Sequence, residues 1–247
     1  MNLDKDHYKN FHLSSRSSWI HSEDYLNYWM GNIIELLELK PSDRFADIGC
    51  GDGKLATHIS QTVKFHQTPL GIEQDEICLS YDKNLLLPLM KNATDFLENT
   101  HEQFDKFLLK QIIHHIYRPH QNTILASIYR ALNPKGSILI LSMPDKLSYP
   151  VFDQAKKIYE RNESDFNFEQ LKEDLDSIGF STYTQKCTYR TNFPKKKYLQ
   201  AISECFISTL SIVSDEQMHQ GLIELEKKLP KIVSVEDPLI ALVATKI

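Results

Sequence analysis

Apolar and polar positions along this 247-residue chain switch between helical and strand periods, and the switches mark out its elements. From Asp24 to Leu39, residues Leu26, Trp29, Met30, Ile33, Ile34 and Leu37 share one helical face, and Pro41 stops the run. Strand and helix patterns then take turns. "RFADIG" reads as a strand and "GKLATHISQTV" as the helix behind it. "TPLGIEQ" is a second strand, followed by a helical stretch over Asp75–Leu86. "LPLMKNATDF" predicts a third strand and "FDKFLLK" a fourth. "HQNTILASIYRAL" is a helix ended by "NPKG", and "SILILSM" is a fifth strand, apolar enough for the middle of a sheet. "NFEQLKEDLDSIGF" is a helix with Gly179 at its C-terminal side, leading into the strand "STYTQKCTYRT"; "PLIALVATKI" is the last strand. Such alternation predicts an α/β fold with a mostly parallel sheet covered on both faces, and an antiparallel strand among the final two.

Between those last strands lies a long insertion, about Asn192 to Asp237, patterned as two helices, "KKKYLQAISECFISTLSIV" and "SDEQMHQGLIELEKKL". Ser214 with Gln217 spells a capping box for the second. An insertion of this size is expected to cap a site. Its Phe193, Tyr198 and Phe206 fit a packed core.

Composition narrows the classes. With 41% hydrophobic and 25% charged residues, this is the make-up of an ordinary globular protein. No apolar run approaches the roughly 20 residues of a spanning helix, and "MNLDKDHYKNF" lacks a signal-peptide core, so a soluble, cytoplasmic protein is expected. A net charge of −5 argues against nucleic-acid binding. The basic cluster Lys195–Lys197 reads as a solvated face. The four cysteines, Cys50, Cys78, Cys187 and Cys205, are scattered without a C-x-x-C pair, which suits a reducing compartment and argues against structural zinc.

The chemistry concentrates in "FADIGCGDGKLATHI". Gly49, Gly51 and Gly53 follow a strand and open a helix, an arrangement that lets backbone approach a ligand closely. A dinucleotide loop is spaced G-x-G-x-x-G, and its third glycine would fall here on Lys54. Asp47 and Asp52 suit a cationic ligand better than a pyrophosphate. Glu73, ending the second strand, is placed to accept hydrogen bonds from ribose hydroxyls, a feature common to dinucleotide and adenosyl sites.

With "LGIEQDE", "NATDF", "FDKFLLKQIIHHI" and "ALNPKGSILI" following in order, about Asp43 to Leu141 resembles the class I S-adenosylmethionine-dependent methyltransferases of small-molecule type. The resemblance implies a Rossmann-like, seven-stranded sheet with a reversed C-terminal hairpin. It implies S-adenosylmethionine as cofactor and S-adenosylhomocysteine as product. Residues 41–191 with 237–247 would form that domain, 1–40 an N-terminal lid and 192–236 the helical cap. Asp47, Gly49, Cys50 and Gly51 would surround the methionine part, Glu73 the ribose, and Gln74, Asn92 and Ala93 the adenine. Lys110 stands where small or polar residues are common in the family; it is expected to contact a carboxylate or to line the site with backbone alone. No N-P-P-Y motif follows the fourth strand, where "KQII" stands, and this disfavours DNA and protein amino-group methylation.

The resemblance also suggests acceptor-side residues. His115 matches a histidine frequent in the family and titrates in the range of a general base; His114 reads as structural. Tyr8, Arg16, Trp19 and His21 on the lid, and Met143, Asp145 and Tyr149 after the fifth strand, are candidates for a small-molecule acceptor. A nicotinamide-dependent oxidoreductase and a catalytically silent cofactor binder are the alternative readings. Oligomeric state and the atom methylated are left open.

Overall fold

The computed structural model describes residues 18–74, 82–163 and 167–247. Its elements are α1 (Glu23–Leu37), β1 (Phe45–Ile48), α2 (Lys54–Val63), β2 (Leu70–Glu73), β3 (Leu87–Met90), α3 (Ala93–Asn99), β4 (Phe104–Lys110), α4 (Arg118–Ala131), β5 (Leu132–Ser142), α5 (Asp153–Glu163), α6 (Phe168–Ile178), β6 (Phe180–Pro194), α7 (Lys195–Ser203), α8 (Asp215–Lys228) and β7 (Ile232–Lys246). Two compact units divide them. One, the sheet unit, comprises 27–143, 167–187 and 239–247 except for undescribed residues; the other comprises, of the described residues, 18–26, 144–163 and 188–238.

The seven strands lie in the order β3-β2-β1-β4-β5-β7-β6. Neighbours from β3 through β5 run parallel, and β7 runs antiparallel to β5. The short run "FADI" of β1 is buried at every position, as a strand covered on both faces requires. Helix α1 buries Tyr25, Trp29, Ile33 and Leu37, four residues apart. Each such side chain removed from water contributes about 1.5–3 kcal/mol. Gly179 ends α6 as its sequence position predicts, with φ at 112° and its N–H returning to Leu175 and Asp176 carbonyls.

Several elements depart from the sequence pattern. Of the expected Asp75–Leu86 helix, 75–81 lie outside the described residues, and the remainder is a turn in which Leu85 and Leu86 return to the Asp82 carbonyl. The "NPKG" segment belongs to β5, because Leu132 already pairs with Phe104 before the register shifts. Strand β7 begins at Ile232, ahead of Pro238. That proline lies beyond Ile240, the last residue paired with β5 through Ser142, so its missing N–H removes no bond from that ladder. The first insertion helix stops at Ser203, where left-handed Cys205 leads into a 3-10 turn at Ser208–Ile212. The second starts on the expected reciprocal cap of Ser214 and Gln217. Helix α5 had no sequence signal, its buried face being little more than Ala155 and Tyr159.

In the other unit the core is aromatic. Trp19 is 1% exposed. Its ring stacks at 4° on Tyr198 and meets Tyr149, Phe193 and Phe206 at centroid distances of 4.6–5.8 Å. Its Nε1 donates to buried Asp237 at 3.0 Å, and Tyr198 donates to the Pro150 carbonyl at 2.5 Å. Each ring pair contributes about 0.5–1.5 kcal/mol beyond burial. Of the three residues expected in a core, Tyr198 and Phe206 are buried, and Phe193 is half-buried against Trp19.

Gly221 of α8 tests packing in this unit. A Cβ there would lie 2.3 Å from Phe152 Cγ, with further ring atoms at 2.4 and 2.6 Å. Alanine gains up to about 1 kcal/mol of helix propensity, but overpacking a ring costs about 1–3 kcal/mol. Gly221→Ala is therefore expected to lower stability in urea unfolding, and adding Phe152→Leu to restore it. A gain for the single variant would refute the packing.

Candidate functional site

The order of strands sets where a ligand can sit. From β1 the chain builds outward through β2 and β3, then returns to the other side of β1 with β4. This reversal leaves a crevice outside the carboxyl ends of β1 and β4. The loop Gly49–Gly53 leaves β1 there and enters α2. Its three glycines hold φ values of 72°, 55° and 69°, a conformation that side chains strain. At Gly49 a Cβ would lie 2.2 Å from Ile112 Cδ1. The N–H groups of Gly49 and Cys50 both donate to the Ile72 carbonyl, at 2.7 and 3.2 Å, which folds the loop back over β2.

Register brings Asp47, Glu73 and Lys110 onto one face. Asp47 is opposite Gly71 on β2 and Leu108 on β4. Because side chains alternate along a strand, Glu73 and Lys110, each two residues further on, share the Asp47 face. Asp47 is 3% exposed. Its Oδ1 has no hydrogen-bond partner among the described residues. Burial pushes its pKa from 3.8 up to about 7; Lys110 pulls against that shift, and Glu73 adds to it. The Glu73 carboxylate accepts from Gly51 N–H at 3.0 Å and from Gln74 N–H at 2.8 Å.

Other expected contacts are put to local use. Asp52 pairs with Lys54 at 2.7 Å and also accepts its backbone N–H, so its charge is answered on the loop surface rather than held for a ligand. Asn92 caps α3, its Oδ1 accepting from Thr94 N–H at 2.8 Å and its Nδ2 donating to Gln74 Oε1 at 3.3 Å. Ala93 opens that helix. Lys110 Nζ donates to Gln111 Oε1 at 2.9 Å, and Gln111 is left-handed at φ 57°.

His115 is exposed on a 3-10 turn, Ile113–His115. Its ring lies 4.0 Å from that of His114, whose pKa burial and then His115 push down to about 3. His114 therefore stays neutral near pH 7, in keeping with its structural reading. Gln121 anchors this turn, donating to the Ile113 and Ile116 carbonyls at 3.0 Å while accepting from Arg118, which also pairs with Asp174. Neither Gln121 nor Ile112 carried a sequence signal. Gly71 did: it is a glycine within a strand, and its missing Cβ leaves room for Cys50 Sγ and Leu86.

Of the acceptor candidates, Tyr8 and Arg16 lie outside the described residues. Met143 is half-buried just past β5, and Asp145 and His21 are exposed. Trp19 and Tyr149 are in the aromatic core of the other unit, where packing accounts for both side chains. Burial drives the Tyr149 hydroxyl well above its usual pKa, helped by Asp237.

Residues 45–136 match a family described as a methyltransferase domain. A cyclopropane-fatty-acyl-phospholipid synthase of Escherichia coli is 29% identical over 120 residues, which is 46% of this chain and 30% of that protein. The chain thus matches less than a third of that relative's length. A SAM-dependent methyltransferase structure from Archaeoglobus fulgidus superposes with a TM-score of 0.59 at 16% identity, covering 97% of this chain and 99% of that one. A cyclopropane synthase from Mycobacterium tuberculosis gives 0.58 at 14% identity over 99% and 95%. At these identities the structural likeness is one of fold. No helix of the described residues is long and apolar enough to cross a membrane.

The burial of Asp47 leaves a pH signature that needs no ligand. With its folded pKa raised above the unfolded value, the native state binds the extra proton, so its contribution to stability falls as pH rises from about 4 to about 7 and is level above. Asp47→Asn removes that burden. Thermal melts should show a stabilisation by the substitution that grows from pH 4 to pH 7 and then stays constant. A pH-independent difference would mean that Asp47 is not buried as described.

Proposed function

Residues 45–136 form a methyltransferase domain of the class I S-adenosylmethionine-dependent family, and from that premise we propose that the chain methylates a small-molecule acceptor by in-line displacement. The observation that carries the cofactor side is Asp47. Its buried oxygen, lacking a hydrogen-bond partner among the described residues, lies at the start of a left-handed glycine loop. A pyrophosphate there would meet Asp47 and Glu73 with like charge, whereas an ammonium and a sulfonium meet them with opposite charge.

In this reading Asp47, Gly49, Cys50 and Gly51 hold the methionine end, Glu73 accepts from the ribose hydroxyls, and Gln74, Asn92 and Ala93 border the adenine. When bound, S-adenosylmethionine supplies an electrophilic methyl group on a good leaving group. The chain's own part is to orient the two reactants and exclude water. A base is needed only for an acceptor that arrives protonated. His115, exposed on the anchored turn after β4, is the candidate; His114, neutral near pH 7, keeps a structural reading. The net charge of −5 favours a small acceptor over a nucleic acid, and a cytoplasmic setting agrees with the scattered cysteines. One observation favours a second acceptor class. Both the 29% identical relative and a structural neighbour are named as cyclopropane synthases, which brings unsaturated acyl chains into the screen.

Calorimetric titration with S-adenosylmethionine, S-adenosylhomocysteine and NADH tests the reading. Both adenosyl ligands should bind and NADH should not. Losing the charged acceptor in Glu73→Ala should remove about 1.5–3 kcal/mol, weakening binding about 10- to 150-fold. Binding of NADH alone would overturn the proposal in favour of an oxidoreductase. Methyl transfer from labelled donor to small polar acceptors or to unsaturated phospholipids then separates the two acceptor classes, and no transfer to any would leave a silent binder.

A further inference from the structure

Two charges flank Asp47 on its face of the sheet, and they act in opposite directions. Glu73 on β2 is like-signed; Lys110 on β4 is the opposing one. Lys110 is the diagonal neighbour of Asp47, two residues past its partner Leu108. Strands about 4.8 Å apart that rise about 3.3 Å per residue set such positions about 8 Å apart, within reach of a long side chain. The ammonium is held by a device of its own. Gln111 takes a left-handed φ of 57°, fixes its N–H on the Leu141 carbonyl at 2.7 Å, and turns its side-chain oxygen onto Lys110 Nζ at 2.9 Å. Among the described residues, Lys106 shares this face of β4 two residues before Leu108 and donates to Ser137 Oγ at 3.0 Å; the loop carries Cys50 and the Asp52–Lys54 pair, and the turn after β4 carries His114 and His115.

We propose that Lys110 is a positioning residue for the methyl donor, its charge holding Asp47 as the carboxylate that receives the donor's ammonium group. This rests on the methyl-donor reading above. A protonated Asp47 offers that ammonium no charge, and burial favours the protonated form. Lys110 is what opposes burial, and this accounts for a cation beside a site for a sulfonium. The proton balance is simple. Below the Asp47 pKa of about 7, binding the ammonium expels one proton from Asp47, so affinity falls as pH falls.

S-adenosylhomocysteine, which cannot react, is the probe. Its affinity is measured by calorimetry from about pH 5.5 to about pH 8, in two buffers of different ionisation enthalpy so that released protons are counted. The wild type should hold its affinity above about pH 7 and lose up to tenfold per unit below, releasing a proton there. Lys110→Met should shift the break upward by about one unit, binding about eightfold more weakly than wild type at pH 6.5 and about twofold more weakly at pH 8. Lys110→Arg should keep the wild-type profile. Asp47→Asn should bind weakly, without pH dependence or proton release. Lys110→Gln serves as a second neutral variant should Lys110→Met fail to fold. A loss in Lys110→Met that is equal at every pH would assign Lys110 to packing and overturn the proposal, as would a flat wild-type profile. Failure of the wild type to bind at any pH would instead remove the donor reading, and the proposal with it.

Discussion

Burying a carboxylate costs several kcal/mol unless neighbouring charge and hydrogen bonds offset it, and Asp47 is buried in β1, an interior strand of the sheet. Much of the crevice is arranged around that cost. The loop next to it is glycine at three alternate positions, so backbone rather than side chain lines the approach. Glu73 accepts from the Gly51 N–H, which ties the loop to β2, and from the N–H of its neighbour Gln74. Lys110 offsets the burial from the other side. A fully hydrogen-bonded aspartate would be more stable and of less use, since nothing would remain for a ligand to complete.

The sheet unit was legible because its signals are local. An apolar run followed by alternate glycines, a carboxylate ending the next strand, and helices with clear caps are patterns of a few residues each. The seven-stranded sheet with its reversed C-terminal hairpin came from the resemblance and agrees with the observed sheet. What the sequence did not disclose depends on register and on distant partners. That Lys110 shares a face with Asp47 follows only once Leu108 is known to stand opposite it. The left-handed turn of Gln111 carries no glycine to announce it. Asp52 looked like part of an acidic site until its pairing with Lys54 was seen.

The aromatic segments were harder for the same reason. Trp19 reads in sequence as an aromatic on a polar, tail-like stretch, an attractive element for a lid. Its hydrogen-bond partner, Asp237, is 218 residues away, and no local pattern reports such a contact. The ring cluster of Trp19, Tyr149, Phe193, Tyr198 and Phe206 gathers three separate stretches of chain into one core. Boundaries drawn along the sequence, with a lid at one end and a cap near the other, do not follow that grouping.

The contact between Gly49 and Ile112 reaches beyond the loop it shapes. The methyl of Ile112 occupies the space a side chain at position 49 would need, and Ile112 immediately precedes the turn that carries His115. The two positions therefore form one locus of permitted change. The chain can enlarge residue 49 only by shrinking residue 112, and any such exchange also resets the footing of the histidine turn. Variation that looks like tuning of the glycine loop would be felt first three residues upstream of the candidate base.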